Sequence, residues 1–355
     1  MPTTSVRSAR STVWPQRLAR RAALGLVLGS VGLATGSAAG SSVAAAPLPA
    51  HWVPYRHLAG VVDIAGPRAD GSFSVAAAGR LFLLEGGGGV MPFARGHSGY
   101  STARGPEPYI TMGGASGNTG SGCSFPSDTT FAIEPSQSPG VIAVDGQGTA
   151  SRFANLPSGA RPNGITFDSV GRFGYRLLVT SAHQGGTTVF AIDCRGTLST
   201  ITAHAPVVEG GIVVAPATFG SFGGDLIAPD ELSGRIFAVA PNGSTTLVAR
   251  SHLPSGQDTG TESAGFVPKS FGRLGMALLA DRFSRGNAHP GTNNLLRLPG
   301  SELIKAGVRP GDLLVAGEGG AQTIAVRCGT TCTVRHIADG PAVAHAEGHI
   351  AFTTG

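Results

Sequence analysis

The chain has 355 residues, of which 55 are glycine and 24 proline, and only 13% are charged. That mixture suits short strands joined by tight turns and argues against long helices; an apolar fraction of 41% argues against a disordered chain. The formal net charge of +5 is carried by Arg7, Arg10, Arg17, Arg20 and Arg21, which precede residue 47 without an acid among them. Everything after them is neutral, so the composition marks no nucleic-acid-binding face, and none is expected.

The chain opens with an Arg-rich start, an apolar stretch AALGLVLGSVGLA and then small residues, GSAAGSSVAAAP. These are the three parts of an export signal. Residues 1–46 are read as a secretory leader, cleaved between about residue 39 and about residue 46. Arg20-Arg21 leaves a twin-arginine signal open beside the ordinary one. No later stretch is long and apolar enough to span a membrane, so a secreted protein without an integral membrane segment is expected. Residues 47–355 form one domain in this reading, beginning near HWVPYRHLAG.

A repeat organises that domain. GRLFLLEGGGGVMPFAR (79–95) aligns without a gap with GRIFAVAPNGSTTLVAR (234–250), and further copies start at Pro139, Thr187 and Gln322. Each reads as strand, Gly-containing turn, strand, which is a β-hairpin. A second phrase precedes three of them, at 163–181, 210–230 and 264–282: an apolar strand, a turn ending in FG or LG, and another strand. Together the two phrases supply four strands in roughly 45–50 residues, the content of a β-propeller blade. NNLLRLPG and VRPGDLLVAGE read as strands of a fifth and a sixth blade, with a short helix or turn in SELIKAGVRPGD. The hairpin at 79–95 has no evident inner strand before it, and the C-terminal AHAEGHIAFTTG supplies one. The prediction is an all-β, six-bladed propeller whose first blade is completed by the C-terminal inner strand, leaving no open sheet edge. A monomer is expected.

Cys123, Cys194, Cys328 and Cys332 are even in number and belong to an exported chain, which suggests disulfides. Cys328 and Cys332 flank the turn of one hairpin, and Cys194 takes the same place in another. The pairing predicted is Cys328–Cys332 and Cys123–Cys194.

Five oxygen-bearing residues stand before apolar runs: Asp128 before TTFAI, Asn163 before GITF, Glu209 before GGIVV, Glu262 before SAGFV and Glu347 before GHIAF. If these runs are inner strands, their starts gather at one mouth of the central channel. Four carboxylates there need a positive partner. A divalent ion, Ca²⁺ above all, fits such oxygen ligands; a solvated polar mouth, balanced by water or arginine, is the alternative. His345, Glu347 and His349 alternate along one strand face, so either imidazole is a candidate base or ligand.

RPNGITFD resembles the PNG-containing inner strand of the senescence marker protein, gluconolactonase and luciferin-regenerating enzyme group. The resemblance implies a six-bladed propeller with one divalent metal at the channel mouth. It implies Asn163 as the Asn ligand and Glu209 or Glu347 as the Glu ligand; the group's Asp ligand has no clear counterpart here, although Asp258 and Glu262 lie in a suitable region. Asp258, His345 and His349 are the candidate catalytic groups. The chain departs from that group in lacking an EGPxW phrase near its start and in placing its EG strand last. Two functions follow. One is a metal-dependent hydrolase of a small-molecule ester or lactone. The other is a non-catalytic extracellular propeller that binds carbohydrate, peptide or a protein partner.

Overall fold

The computed structural model describes residues 49–94, 107–113 and 122–354; the expected leader and its expected cleavage region lie outside them. Two short strands come first, β1 (Ala50–His51) and β2 (Val53–His57). Four four-stranded sheets follow. They are β3–β6 (Val61–Ala65, Phe73–Ala77, Arg80–Leu84, Val90–Pro92), β7–β10 (Ile110–Met112, Thr130–Glu134, Gly140–Val144, Ala150–Asn155), β11–β14 (Arg161–Phe167, Leu177–His183, Gly186–Ile192, Leu198–Ala205) and β15–β18 (Val213–Val214, Leu226–Asp230, Arg235–Val239, Thr245–Arg250). The rest comprises β19 (Thr261–Phe266), β20 (Met276–Asp281), β21 (Asn294–Pro299), helix α1 (Gly300–Lys305), β22 (Leu313–Gly317), β23 (Thr323–Cys328), β24 (Cys332–Asp339) and β25 (Ala346–Thr353).

The hairpins form where their turns can be satisfied locally. Asp145 accepts hydrogen bonds from the backbone N–H of Gln147 and Thr149, at 2.9 and 2.8 Å, and Asp193 does the same for Arg195 and Thr197. In each case a short carboxylate replaces the backbone acceptor that a tight turn lacks. Apolar side chains then pack between neighbouring sheets; Phe125, Phe131 and Phe167, for example, meet edge to face inside one such cluster.

The last stretch departs from simple repetition. Strands β19–β25, with β1 and β2, form one nine-stranded sheet in the order β1-β24-β23-β22-β19-β25-β20-β21-β2. It is joined at its middle by a single parallel pair, Ala264 with His349. On either side stands a group with the strand count of a blade: β19-β22-β23-β24, extended by β1, and β25-β20-β21-β2. The innermost strands β3, β7, β11, β15, β19 and β25 neighbour one another in that order, and β25 returns to β3. The arrangement is an all-β propeller. Among the described residues its separate sheets number five, and six blade-sized groups appear only when the nine-stranded sheet is divided at that pair.

Two sequence expectations are corrected here. The hairpin at 80–92 has its own inner strand, β3, so β25 does not complete that sheet; β25 pairs with β20, and the ring is closed by N-terminal β2 on β21. VVDIA escaped notice because Asp63 interrupts its apolar run, although the carboxylate is fully buried. Nor do the two strands of 264–282 pair with each other: β19 pairs with β22, and β20 with β25. Local patterning carries no information about which distant strand a given strand will meet.

Both disulfides are formed as expected. Cys123 joins Cys194 across 71 positions, with Cα atoms 6.0 Å apart, and Cys328 joins Cys332.

Candidate metal centre at the acidic channel end

The inner strands are bulged where they enter the channel. Opposite β12 the register steps from Pro162 to Gly164, leaving Asn163 unpaired. Opposite β22 it steps from Thr261 to Ser263, leaving Glu262 unpaired. In β25, three residues, Gly348 to Ile350, face Leu279 alone. A bulged residue is released from the ladder and its side chain is re-aimed. These bulges free Asn163 and Glu262, and release His349 from β20 while it pairs with Ala264 of β19.

Below the acidic end the channel is closed. Asp63 of β3 accepts hydrogen bonds from the N–H groups of Ile110 and His349, both at 2.7 Å, and its Oδ2 lies 2.9 Å from His349 Nδ1. The other ring nitrogen of His349 reaches the carbonyl of Ile212, beside β15, at 3.0 Å. Four inner strands are tied by these two side chains. Gly211 and Gly348 belong to the same closure. A Cβ on Gly211 would overlap the Gly348 carbonyl, and Gly348, at φ +67°, leaves no room for one beside Asp63.

On the acidic side, inner strands begin and second strands end. Glu209 reaches it through the chain that links Asn163 to Glu262: the N–H of Gly210 donates to the Asn163 carbonyl, and that of Gly211 to the Glu262 carbonyl. Glu347 follows the first residue of β25. Glu231, Arg282 and Glu318 directly follow β16, β20 and β22. Arg282 Nη1 donates to Glu107 Oε1 at 2.7 Å and to Glu347 Oε1 at 2.9 Å. His345 Nε2 stands 2.9 Å from Glu318 Oε1 and 3.2 Å from Glu347 Oε1. The buried Tyr109 hydroxyl contacts both Glu262 Oε1 and Glu347 Oε2, the latter at 2.7 Å. A phenol has one proton to donate, so one of these two carboxyls carries a proton of its own.

Electrostatics assigns that proton to Glu262. Burial, then Glu347, pushes its pKa well up. Burial would raise Glu347 too, but His345 and Arg282 outweigh it and hold the carboxyl at about 2. Burial would depress His345; Glu318 and Glu347 instead lift it to about 10. Glu107, against Arg282, and Glu209 are both pushed up to about 7, by burial first and Glu347 second. Burial and Glu318 take Glu231 to about 8. Arg282 and His345 therefore do not satisfy this cluster, and Glu107, Glu209 and Glu231 hold protons into the neutral range.

Among the described residues, Asn163 and Glu209 each leave a side-chain acceptor unspent beside one cavity. Asn163 Nδ2 donates to the Val208 carbonyl at 2.8 Å, but its buried Oδ1 has no partner. No hydrogen bond reaches the Glu209 carboxylate from them either, whereas the other inner-strand glutamates are engaged. Both residues line a cavity of about 380 Å³ together with Glu107. A second grouping, Glu318, His345 and Glu347, brings its ligand atoms within 4.8 Å of one another.

Of the residues singled out in the sequence, Asn163, Glu209, Glu262 and Glu347 stand at this end, with His345 among them. Asp128 does not. Its strand, β8, is a second strand antiparallel to β7; Thr130 faces Met112, the last residue of β7, so Asp128 lies at the opposite end. There its carboxylate accepts from the Ala69 N–H at 2.8 Å. Asp258 sits on an exposed loop, its N–H bonded to Glu231. His349 lies deeper, with both ring nitrogens engaged. Glu107, Tyr109, Glu231, Arg282 and Glu318 were not anticipated.

No protein-family model matches the chain, and no curated protein matches it. Solved structures do resemble it. A nidogen/laminin complex aligns over 82% of this chain and 84% of that chain, at 12% identity and TM-score 0.49. A gluconolactonase from Xanthomonas campestris aligns over 83% and 80%, at 14% identity and TM-score 0.46. A streptogramin B lyase aligns over 83% and 75%, at 11% identity and TM-score 0.43.

Proposed function

We propose that the acidic end of the channel binds a divalent cation and that the protein is an exported hydrolase of small esters or lactones. The observation that carries this reading is the pair of unspent acceptors, Asn163 Oδ1 and the Glu209 carboxylate, beside one cavity in a cluster short of positive charge. Oxygen donors of this kind suit Ca²⁺, and Asn163 and Glu209 would hold it with Glu107 close by. The chemistry that such an ion supplies when bound is polarisation of a carbonyl and activation of water. The protein's own groups supply proton transfer: with a pKa of about 8, Glu231 can take up and return a proton near neutral pH. His345 and His349 are poor bases here, because the first is held protonated and the second has no free nitrogen. The Arg-rich leader and the two disulfides support export.

The second reading gives the cation to Glu318, His345 and Glu347, with their compact spacing in its favour. An imidazole in the donor set suits Zn²⁺ or Mn²⁺ better than Ca²⁺. Such a buried ion would be structural, and the propeller a binding module. Metal analysis of the purified protein, melting curves in Ca²⁺, Zn²⁺ or chelator, and a lactone and ester screen decide between them. Under the first reading Ca²⁺ raises the melting temperature, and Asn163→Ala with Glu209→Gln abolishes both that rise and the hydrolysis. A Zn²⁺ response removed by Glu318→Gln favours the second. A melting curve indifferent to all three additions sinks both.

A further inference from the structure

The two ends of the channel are chemically unlike. The Asp63–His349 closure separates the acidic end from a cavity of about 250 Å³ at the opposite end. Its lining is drawn from five of the inner strands and includes Met112, Val213, Phe266 and Phe352, which keep some exposure, while Ile64 and Ile110 are fully buried behind it. Among the described residues His349 is the one titratable group in the lining, and both its ring nitrogens are spent on Asp63 and the Ile212 carbonyl. Apart from His349 and Thr111, the described side chains of the lining are apolar.

We infer that this cavity is a second ligand site, specific for a small, uncharged aromatic molecule. Size sets the upper limit. An apolar cavity of roughly 150 Å³ is enough to hold benzene, so this one admits a bicyclic ring. Lining chemistry sets the class. Phe266 and Phe352 offer ring faces and edges, and Met112 offers a polarisable thioether, the groups that favour an aromatic guest over an aliphatic one. Position sets independence. The closure ties four inner strands between the two ends, so occupation of one end requires no opening of the other.

Indole is a suitable probe, titrated into the full mature protein and followed by ligand-observed NMR and by the melting temperature. The expected result is saturable binding with contacts from indole protons to the Met112 methyl and the Phe266 and Phe352 rings. Val213→Trp, which fills the cavity from β15, should weaken binding at least tenfold, while Glu209→Gln at the acidic end leaves it unchanged. If Val213→Trp does not fold, Met112→Trp fills the same space from β7. Absence of saturable binding to the wild type overturns the proposal. So does binding that survives both filling variants, or that Glu209→Gln removes. Loss of the cation response described above leaves this outcome untouched, so the two readings fail separately.

Discussion

Asp63→Asn is the most informative single substitution outside the acidic end. The carboxylate accepts from the N–H groups of Ile64, Ile110 and His349, at 2.8, 2.7 and 2.7 Å, and faces the His349 ring. Asparagine has the same shape but replaces one acceptor oxygen with a donor NH₂. Whichever way the amide turns, at least one buried N–H then meets another donor. Hydrogen bonds to a charged group contribute about 1.5–3 kcal/mol each, and leaving a buried donor unmet costs about 1–3 kcal/mol. Removing one partner of a buried ion pair costs about 3–5 kcal/mol in all, which includes these losses. At about 2 °C per kcal/mol for a chain of this length, melting should fall by roughly 6–10 °C. The pH dependence has a definite sign. Burial would depress His349, yet Asp63 holds its pKa above the ordinary 6.5. A raised histidine pKa stabilises the fold fully below the unfolded value and loses that contribution as pH rises through the folded one. The gap between wild type and variant should therefore be widest at pH 6 and begin to narrow above pH 6.5. Calorimetry at a series of pH values tests both parts. A fall under about 2 °C, or a gap that widens with pH, would show that these two side chains do not hold the inner strands together.

Two further outcomes follow from the same framework. Replacing Cys123 and Cys194 by serine should lower stability by about 4 kcal/mol, and replacing Cys328 and Cys332 by about 2 kcal/mol or less, because the closed loops differ so much in length; denaturant titrations that reverse this order refute the entropic account. In chelator, stability should decline as pH rises from 5 to 8, since Glu107 and Glu209 at about 7 and Glu231 at about 8 sit above the ordinary 4.5 and resist ionisation in the fold. Calcium should flatten that decline, and equal slopes with and without calcium would remove the cluster's need for a cation.

The hairpins and both disulfides were legible because their signals are local: a turn residue, a two-residue alternation, a cysteine beside a turn. Strands β3 and β7 were not. The first hides a buried Asp inside its apolar run, and the second is only three residues long. Missing β7 made TTFAI look like an inner strand, and that single error moved Asp128 to the wrong end of the channel. Three further residues of the acidic end were missed for a different reason, which strand direction explains. An inner strand carries the chain away from this end and its antiparallel second strand brings it back, so the residue just after a second strand is as much a site position as the one that opens an inner strand. Glu231, Arg282 and Glu318 all occupy such positions. One of them carried a readable mark: Gly317 to Gly320 reads GEGG, repeating the Glu-Gly-Gly of residues 209–211 at the other kind of position. Arg282 carried none, because an arginine after an apolar strand looks like any surface residue until Glu107 and Glu347 are seen to share one of its nitrogens. The acids at the strand openings are therefore only part of the charge at this end, and their pKa values depend on partners that arrive on returning strands far away in the chain.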